Sequence, residues 1–172
     1  MEKKHEESQT VRLKPNPSGK DRTRSGTASA AQLGGEWVDI KNVGNTSVDL
    51  TGVKLYHIAY SGKNDNGTWE EILSFTGTLG PGKVIRVHAG SGPLNVLHAI
   101  DQQGADFHLF TERDAYLWNN DRGDCSALWQ AGEQQPLDKA CYSTNPPESM
   151  ILVRSGDRLV VPAGSLLAGV RR

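Results

Sequence analysis

The sequence lacks long apolar runs. No stretch approaches the ~20 consecutive apolar residues that a membrane helix requires, so no membrane-spanning segment is expected. Met1 is followed by EKKHEESQT, which has none of the apolar character of a signal peptide. The expected location is the cytoplasm, or an extracytoplasmic compartment if a targeting segment has been removed.

Helical periodicity and catalytic signatures are absent as well. No segment repeats apolar residues with a sustained 3.6-residue period, and no heptad pattern argues for a coiled coil. The chain contains no G-x-S-x-G elbow, no P-loop and no G-x-G-x-x-G motif. The glycine-rich GSGPLN at 90–95 opens no clear helix, and Ser91 has no identifiable base. We therefore expect no enzymatic activity, no catalytic residues and no cofactor.

Most of the chain has no excess of positive charge. The formal net charge is −1, divided into +3 for residues 1–34 and −4 for the remainder. Duplex binding depends on clustered Lys and Arg that neutralise phosphates. Association with nucleic acid through the basic leader is therefore an alternative that the composition does not favour.

Residues 1–34 have almost no apolar pattern. They are rich in Ser, Thr, Gly, Lys and Gln, and such a segment buries too little surface to offset the entropy of ordering. The sequence therefore predicts a disordered N-terminal leader over 1–34 and a folded domain over 35–165.

From Gly35 onward, short alternating apolar runs are separated by Gly, Pro, Asn and Asp. In EWVDIKN, for example, Val38 and Ile40 lie on one face of a strand and Trp37 and Asp39 on the other. Asn66-Gly67 is a hairpin signal because both residues accept a positive φ. The strand candidates are EWVDIKN, SVDL, VKLYHIAY, TWEEILSF, GKVIRVHAG, AYLW, SALWQ, DKACYS, SMILVR and DRLVVP.

About ten strands with turn signals every ~8–12 residues are typical of an all-β sandwich or a small barrel. Residues 91–114 are the least regular part and are predicted to be a long connection with some short helix or turn content.

Three segments carry a family likeness. GEWVDIKNVGNTSVDLTGVKL at 35–55, FTGTLGPGKVIRVHAG at 75–90 and WNNDRGDCSALWQAGEQQPLDKACY at 118–142 occur in one order and at plausible spacing. Together they resemble the lamin tail domain, in the free-standing form known from bacteria. The motif residues are Trp37, Asn42, Leu50, Gly52, Gly82, Asn119, Gly123, Asp124, Leu128, Asp138 and Tyr142.

The resemblance implies an immunoglobulin-like antiparallel β-sandwich without catalytic residues. Animal lamins carry this domain after a coiled-coil rod, which this chain lacks, so filament formation is not carried over. Free-standing domains of this kind imply attachment or recognition. Residues 142–165 extend past the pattern and are expected to form an extra hairpin that completes or extends the sheet.

The stretch WNNDRGDCSALW raises two further possibilities. Arg122-Gly123-Asp124 matches an adhesion tripeptide, and Asn119, Asn120, Asp121 and Asp124 offer oxygens to calcium. No Glu follows at the offset that a calcium loop needs, and NDNG at 64–67 fails in the same way. The favoured interpretation is a structural turn, in which Gly123 supplies an unusual φ and Asp124 accepts hydrogen bonds from nearby backbone.

His98, Asp101, Asp106 and His108 could form a metal site that supports hydrolysis, because His and carboxylate ligands suit zinc. Their spacing matches no known motif, so an ordinary surface loop is favoured and no metal is predicted. His57 and His88 fall inside strand candidates and are expected to be ordinary strand side chains.

Cys125 and Cys141 are candidates for a disulfide. If Leu128 and Ala140 face the core, as the family pattern suggests, both cysteines lie on the opposite face of a hairpin and near each other across the two strands. A disulfide is expected if the protein is exported, and two free thiols are expected in a reducing cytosol.

Four tryptophans are many for one core. Trp37 and Trp129 alternate with core positions, and exposed tryptophans beside strands often mark binding surfaces. The favoured interpretation is that the tryptophans cap the sandwich edges or pack under residues 91–114. The sequence thus predicts a monomeric, non-enzymatic interaction module for a protein or cell-envelope surface.

Overall fold

The computed structural model describes residues 7–19, 28–62 and 64–164. Within these ranges twelve strands dominate the fold. They are β1 Ser8–Lys14, β2 Trp37–Asn42, β3 Val48–Asp49, β4 Val53–Ala59, β5 Thr68–Ser74, β6 Thr78–Leu79, β7 Val84–His88, β8 Phe107–Phe110, β9 Asp124–Gln130, β10 Asp138–Tyr142, β11 Leu152–Ser155 and β12 Arg158–Val160. The helical segments are short: α1 Ala30–Gly34, α2 Ala99–Gln102 and a 3-10 turn at Leu94–Val96. The fold is therefore all-β.

Ten of the strands form one large curled sheet. Its order is β5-β4-β9-β10-β12-β11-β1-β2-β7-β8, and β3 and β6 form a separate pair. Strands from both halves of the large sheet contribute to a single apolar core. Its members include Leu13, Val38, Leu55, Leu128 and Leu159.

The sequence predicts an antiparallel sheet, but two pairs of neighbouring strands are parallel. β8 runs parallel to β7, and β12 runs parallel to β10. Residues 89–106 carry the chain back across the sheet through α2, as a parallel pairing requires, so that β8 begins at the same end as β7. The expectation of an entirely antiparallel sheet is wrong at these two places.

β1 contradicts the predicted disordered leader. It pairs with β2 on one side and β11 on the other, inside the large sheet. The sequence of β1 shows no hydrophobic pattern because Ser8, Thr10 and Lys14 occupy buried positions where apolar residues would be expected. Polar partners replace apolar packing there; Thr10 Oγ1, for example, lies 2.7 Å from Ser126 Oγ. The leader prediction for residues 1–6 and 20–27 lies outside the described part of the chain.

Two further assignments of secondary structure differ between the sequence prediction and the structure. AYLW at 115–118 is not a strand, because the backbone N–H groups of Leu117 and Trp118 donate to the buried carboxylate of Glu36 rather than to a neighbouring strand. Residues 91–114 are predicted to be a long connection, but within them β8 extends the sheet beyond β7.

The C-terminal hairpin lies inside the sheet. β11 and β12 are joined through a turn at Gly156, and they fill the space between β1 and β10. The pair therefore links the two halves of the sheet. Residue 165, the predicted end of the domain, is not among the described residues.

Cys125 and Cys141 lie directly opposite each other on β9 and β10, and their Sγ atoms are bonded. Leu128 and Ala140 are fully buried in the core. The alternation of the two strands therefore places the disulfide on the outer face of the sheet.

Candidate functional site

Asp124 is the centre of a buried polar cluster at the start of β9. Its Oδ1 accepts hydrogen bonds from the backbone N–H groups of Ile58 and Cys125, both at 2.7 Å. Its Oδ2 accepts from the side chain of Asn119 at 2.8 Å, from the backbone N–H of Asn119 at 3.2 Å, and from His57 Nδ1 at 2.9 Å. A carboxylate offers about four lone-pair positions, so these five donors leave no position for a cation.

The histidine in this cluster favours its charged form. Burial lowers the pKa of His57, but hydrogen bonds to Asp124 and then to Glu70 outweigh burial, and the pKa lies above its ordinary value. Charged His57 donates to both carboxylates and locks β4 to β5 and β9. His57 therefore joins three strands through its two ring nitrogens, a role that the alternation pattern alone did not indicate.

The Arg-Gly-Asp tripeptide shapes the backbone. Asp124 is 2% exposed, and the Arg122 guanidinium donates to the carbonyl groups of Gly62 and Asp65. The same guanidinium lies over the Tyr60 ring, 3.9 Å from its centroid. An adhesion ligand would need the aspartate exposed, so this geometry fits the structural interpretation of the turn.

Several of the residues that carry the predicted resemblance close turns. Buried Asn42 donates from Nδ2 to the carbonyls of Thr46 and Leu79 and accepts from the Gly44 N–H at Oδ1. Gly52 and Gly82 adopt positive φ values of 86° and 74° at the turns before β4 and β7, where a residue with a side chain would be strained. Leu50 and Leu128 are buried in the core.

The last motif residues connect strands. Asp138 accepts two hydrogen bonds from the Arg154 guanidinium at 2.8 and 2.9 Å, and a third from the Thr10 N–H. Tyr142 donates its hydroxyl to the Asn119 carbonyl at 2.8 Å. Burial, followed by the charges of Asp124 and Glu36, raises the pKa of Tyr142, which keeps it a neutral donor. These contacts are structural and give no sign of chemistry.

The structure does not gather the four candidate ligands of the 98–108 segment into one group. Asp101 is buried against Lys14 and Trp37, and Asp106 accepts from the Val84 N–H. His108 lies beside His88, whereas His98 is exposed. In residues 7–19, 28–62 and 64–164, no group of three or more His, Cys, Asp or Glu side chains could hold a metal ion.

Sequence reasoning missed a buried charged cluster beneath this segment. Asp39 accepts from Arg86 Nε at 2.7 Å and Arg86 Nη2 at 2.9 Å, and both side chains are essentially inaccessible. The Arg86 guanidinium also lies 3.6 Å from the centroid of a Trp37 ring, and Trp37 Nε1–H donates to Asp101. Residues 91–114 therefore cover a polar layer on the face of the sheet opposite the core.

His88 borders this layer and is held neutral. Its Nδ1–H donates to the Gly34 carbonyl at 2.6 Å, which leaves Nε2 to accept from His108 Nδ1 at 2.8 Å. Burial, which outweighs the hydrogen bond to Gly34, lowers the pKa of His88 to about 4, with smaller contributions from His108 and Arg86. His88 is expected from the sequence to be an ordinary strand side chain, but it is a buried, neutral imidazole that bonds to Gly34 and His108.

A pH-dependent loss of stability should follow. The folded-state pKa of about 4 lies below the unfolded value of 6.5, so the folded state binds fewer protons. This contribution is complete above pH 6.5 and is lost as pH falls towards 4, by an amount on the order of 3 kcal/mol.

Urea unfolding at neutral pH and at about pH 4.5 would measure this loss. The His88→Gln variant should show a smaller decrease than the wild type, and the exposed-residue control His98→Gln should keep the wild-type decrease. An unchanged decrease in His88→Gln would contradict the assignment.

An aromatic surface lies on the outer face of the large sheet. On the outer face of β4, β5 and β9, a groove of about 410 Å³ is bounded by Lys54, Tyr56, Trp69, Trp129 and the turn residues 130–134. We call this surface the aromatic groove. Trp69 is 39% exposed, whereas Trp37 and Trp118 are buried.

The rings in the aromatic groove form a chain of edge-to-face contacts. The Trp129 ring lies 5.3 Å from Tyr56 and 5.1 Å from Trp69, at interplanar angles of 75° and 73°. Register explains the assembly, because Lys54 lies opposite Trp129, and Ile58, on the same face of β4 as Tyr56, lies opposite Trp69. Three separate strands thus build a surface that has apolar walls and a polar rim.

A scan of the chain against models of known protein families found no match, and neither did a search of curated proteins. Among the described residues, no helix is long and apolar enough to span a membrane.

Proposed function

We propose that this chain is a non-enzymatic recognition module of the lamin tail type, with an immunoglobulin-like β-sandwich as its scaffold. Its binding surface is the aromatic groove, and its partner is a protein or a component of the cell envelope. A rigid sheet that presents side chains from several strands suits recognition rather than chemistry.

The scaffold part of the proposal draws on the core. Strands near both ends of the curled sheet pack on one apolar cluster, as the two layers of a sandwich would. The motif residues support the family resemblance because Asn42, Asp124 and Asp138 each organise a turn or join strands.

The observation that carries the functional part is the contrast between the closed polar clusters and the open aromatic groove. The carboxylates of Asp124 and Asp39 accept hydrogen bonds from donors inside the fold. Trp69 and Trp129, in contrast, line the open groove. Aromatic residues in concave sites dominate binding energy in protein recognition.

The two alternative functions lose support. Arg12 and Lys14, two of the basic residues in the leader, form ion pairs with Asp39 and Asp101 within the fold. They are therefore poorly placed to neutralise phosphates. Asp101, one of the four candidate ligands in the metal hypothesis, is buried against Lys14 and Trp37.

The proposal is tested by retention on immobilised protein. Envelope and soluble fractions of the source cells would be passed over wild type, over the double variant Trp69→Ala/Trp129→Ala, and over Phe107→Ala, which removes an exposed aromatic outside the groove. We expect wild type and Phe107→Ala to retain the same component, and the double variant to lose at least about tenfold in affinity. Equal retention by the double variant, or no retention by folded wild type, would refute the proposed site.

A further inference from the structure

Lys14 and Asp101 form a buried pair that joins two distant segments of the chain. Lys14 Nζ, at the end of β1, lies 2.5 Å from Asp101 Oδ1 in α2, and the two residues are 87 positions apart. Their side chains are 6% and 0% exposed, whereas those of the pair Lys54–Glu71 are 36% and 45% exposed. A primary amine is thus held beside a carboxyl group in a site that excludes water.

The two oxygen atoms of the Asp101 carboxylate have different surroundings. Oδ1 accepts from Lys14 and from the Trp37 indole N–H, which lies 2.9 Å away. Oδ2 is buried and has no hydrogen-bond partner among the described residues. Buried acceptors are nearly always paired, and an unpaired one destabilises the fold. An amide at this position would have a single oxygen, and that oxygen already has the indole as its donor.

The surrounding structure fixes the positions of the reacting groups. The Arg86 guanidinium donates to the Asp101 carbonyl at 3.2 Å, and the Asp101 N–H donates to the His98 carbonyl at 2.9 Å. Lys14 lies opposite Trp37 in the register of β1 and β2, so the amine and the indole reach the carboxyl group from neighbouring strands. Groups held in contact in this way react with the high effective concentrations of intramolecular reactions.

We propose that Lys14 and Asp101 condense into an intramolecular isopeptide bond. Lys14 Nζ attacks Asp101 Cγ, so that a Nζ–Cγ bond forms and the Cγ–Oδ2 bond breaks; desolvated lysine amines are effective nucleophiles. Two of the three Nζ protons leave with Oδ2 as one water molecule, and the third stays on the amide nitrogen. Trp37 Nε1–H stabilises the negative charge that develops on Oδ1, as a donor in an oxyanion hole does.

The bond fastens β1 to the connection that covers the polar layer. With Lys14 and Asp101 joined covalently, α2 stays over Asp39 and Arg86 even when the surrounding hydrogen bonds open. This cross-link is a property of the scaffold and does not depend on the aromatic groove. Its test and the test of the proposed function therefore fail independently.

Mass spectrometry of the purified full chain tests the bond directly. After reduction and denaturation, wild type should be lighter than its sequence mass by one water molecule. Trypsin should then release residues 13–20 joined to residues 87–113, which locates the bond because water can also be lost elsewhere in a chain. The exposed pair Lys54–Glu71 is the internal control and should remain unlinked.

Two variants assign the roles of the residues. Lys14→Arg keeps a positive charge beside Asp101, but a guanidinium stays protonated and is a poor nucleophile, so this chain should have its full sequence mass. Trp37→Phe keeps an aromatic ring but removes the indole N–H. It should leave most of the chain unlinked under conditions in which wild type is fully linked.

Each result decides a separate part of the proposal. If folded wild type has its full sequence mass and the two peptides are released separately, no isopeptide bond forms and the proposal is wrong. The same holds if Lys14→Arg loses water to the same extent as wild type, since the bond would then lie elsewhere. Complete linkage in Trp37→Phe would refute the role given to the indole N–H and would leave the bond itself supported.

Discussion

Replacing Asp39 by alanine is expected to lower the free energy of unfolding by about 3–5 kcal/mol. The substitution removes the carboxylate that accepts two hydrogen bonds from Arg86 and lies 3.0 Å from Arg12. The Arg86 guanidinium is then left buried without its counter-ion. Equilibrium unfolding in urea, followed by tryptophan fluorescence, measures the effect.

Two variants control this prediction. Asp39→Ala combined with Arg86→Met should cost less than Asp39→Ala alone, because the unpaired charge is gone. Lys83→Ala, which removes an exposed partner 3.8 Å from Asp106, should cost less than about 1 kcal/mol. A loss in Asp39→Ala as small as that in Lys83→Ala would show that the buried charges do not stabilise the fold.

Replacing Gly123 by alanine is the second change with a large expected effect, a loss of about 2–5 kcal/mol. Gly123 has a φ of 73°, which strains any residue with a Cβ. An added Cβ would also approach the Tyr142 carbonyl oxygen too closely, and the obstacle is backbone that cannot rotate away.

Gly132→Ala is the matched control. Gly132 has a comparable φ of 86°, but an added Cβ would meet nothing within 4 Å. Its cost should be about 1–2 kcal/mol, from backbone strain alone. The difference between the two thermal midpoints isolates the steric contribution. Equal losses would contradict the assigned close approach at Gly123.

The sequence was informative where apolar alternation and turn chemistry agree. The alternation of Val38 with Ile40 corresponds to β2, and the hairpin signal at Asn66-Gly67 lies in the connection between β4 and β5, where Gly67 but not Asn66 has a positive φ. The all-β class therefore follows from local patterns. The pairing partners do not, since nothing local indicates that β12 lies parallel to β10 or that β11 lies against β1.

The largest errors in the predictions from the sequence occur where polar side chains are buried. β1 was missed because its buried positions hold Ser8, Thr10 and Lys14, whose partners lie far away in the sequence. The charged layer was missed for the same reason: Asp39 and Arg86 resemble solvent-facing residues until residues 91–114 cover them. Only tertiary contacts distinguish such residues from an exposed strand face.

The tryptophans show the same limit at the candidate site. Trp37 and Trp129 both alternate with core residues and look equivalent in the sequence. In the structure, α2 covers Trp37 through Asp101, whereas Trp129 lines the open groove with Trp69. Which outward tryptophan binds a partner therefore depends on where a long connection packs, which no local pattern specifies.

The most direct measurement follows the four indole N–H resonances in a two-dimensional ¹H–¹⁵N NMR spectrum while the component that immobilised wild type retains is added. We predict that the resonances of Trp69 and Trp129 shift in a saturable manner, while those of Trp37 and Trp118, both buried, stay in place. Shifts confined to Trp37 and Trp118, or no shift of any indole at a saturating concentration of that component, would contradict recognition through the aromatic groove.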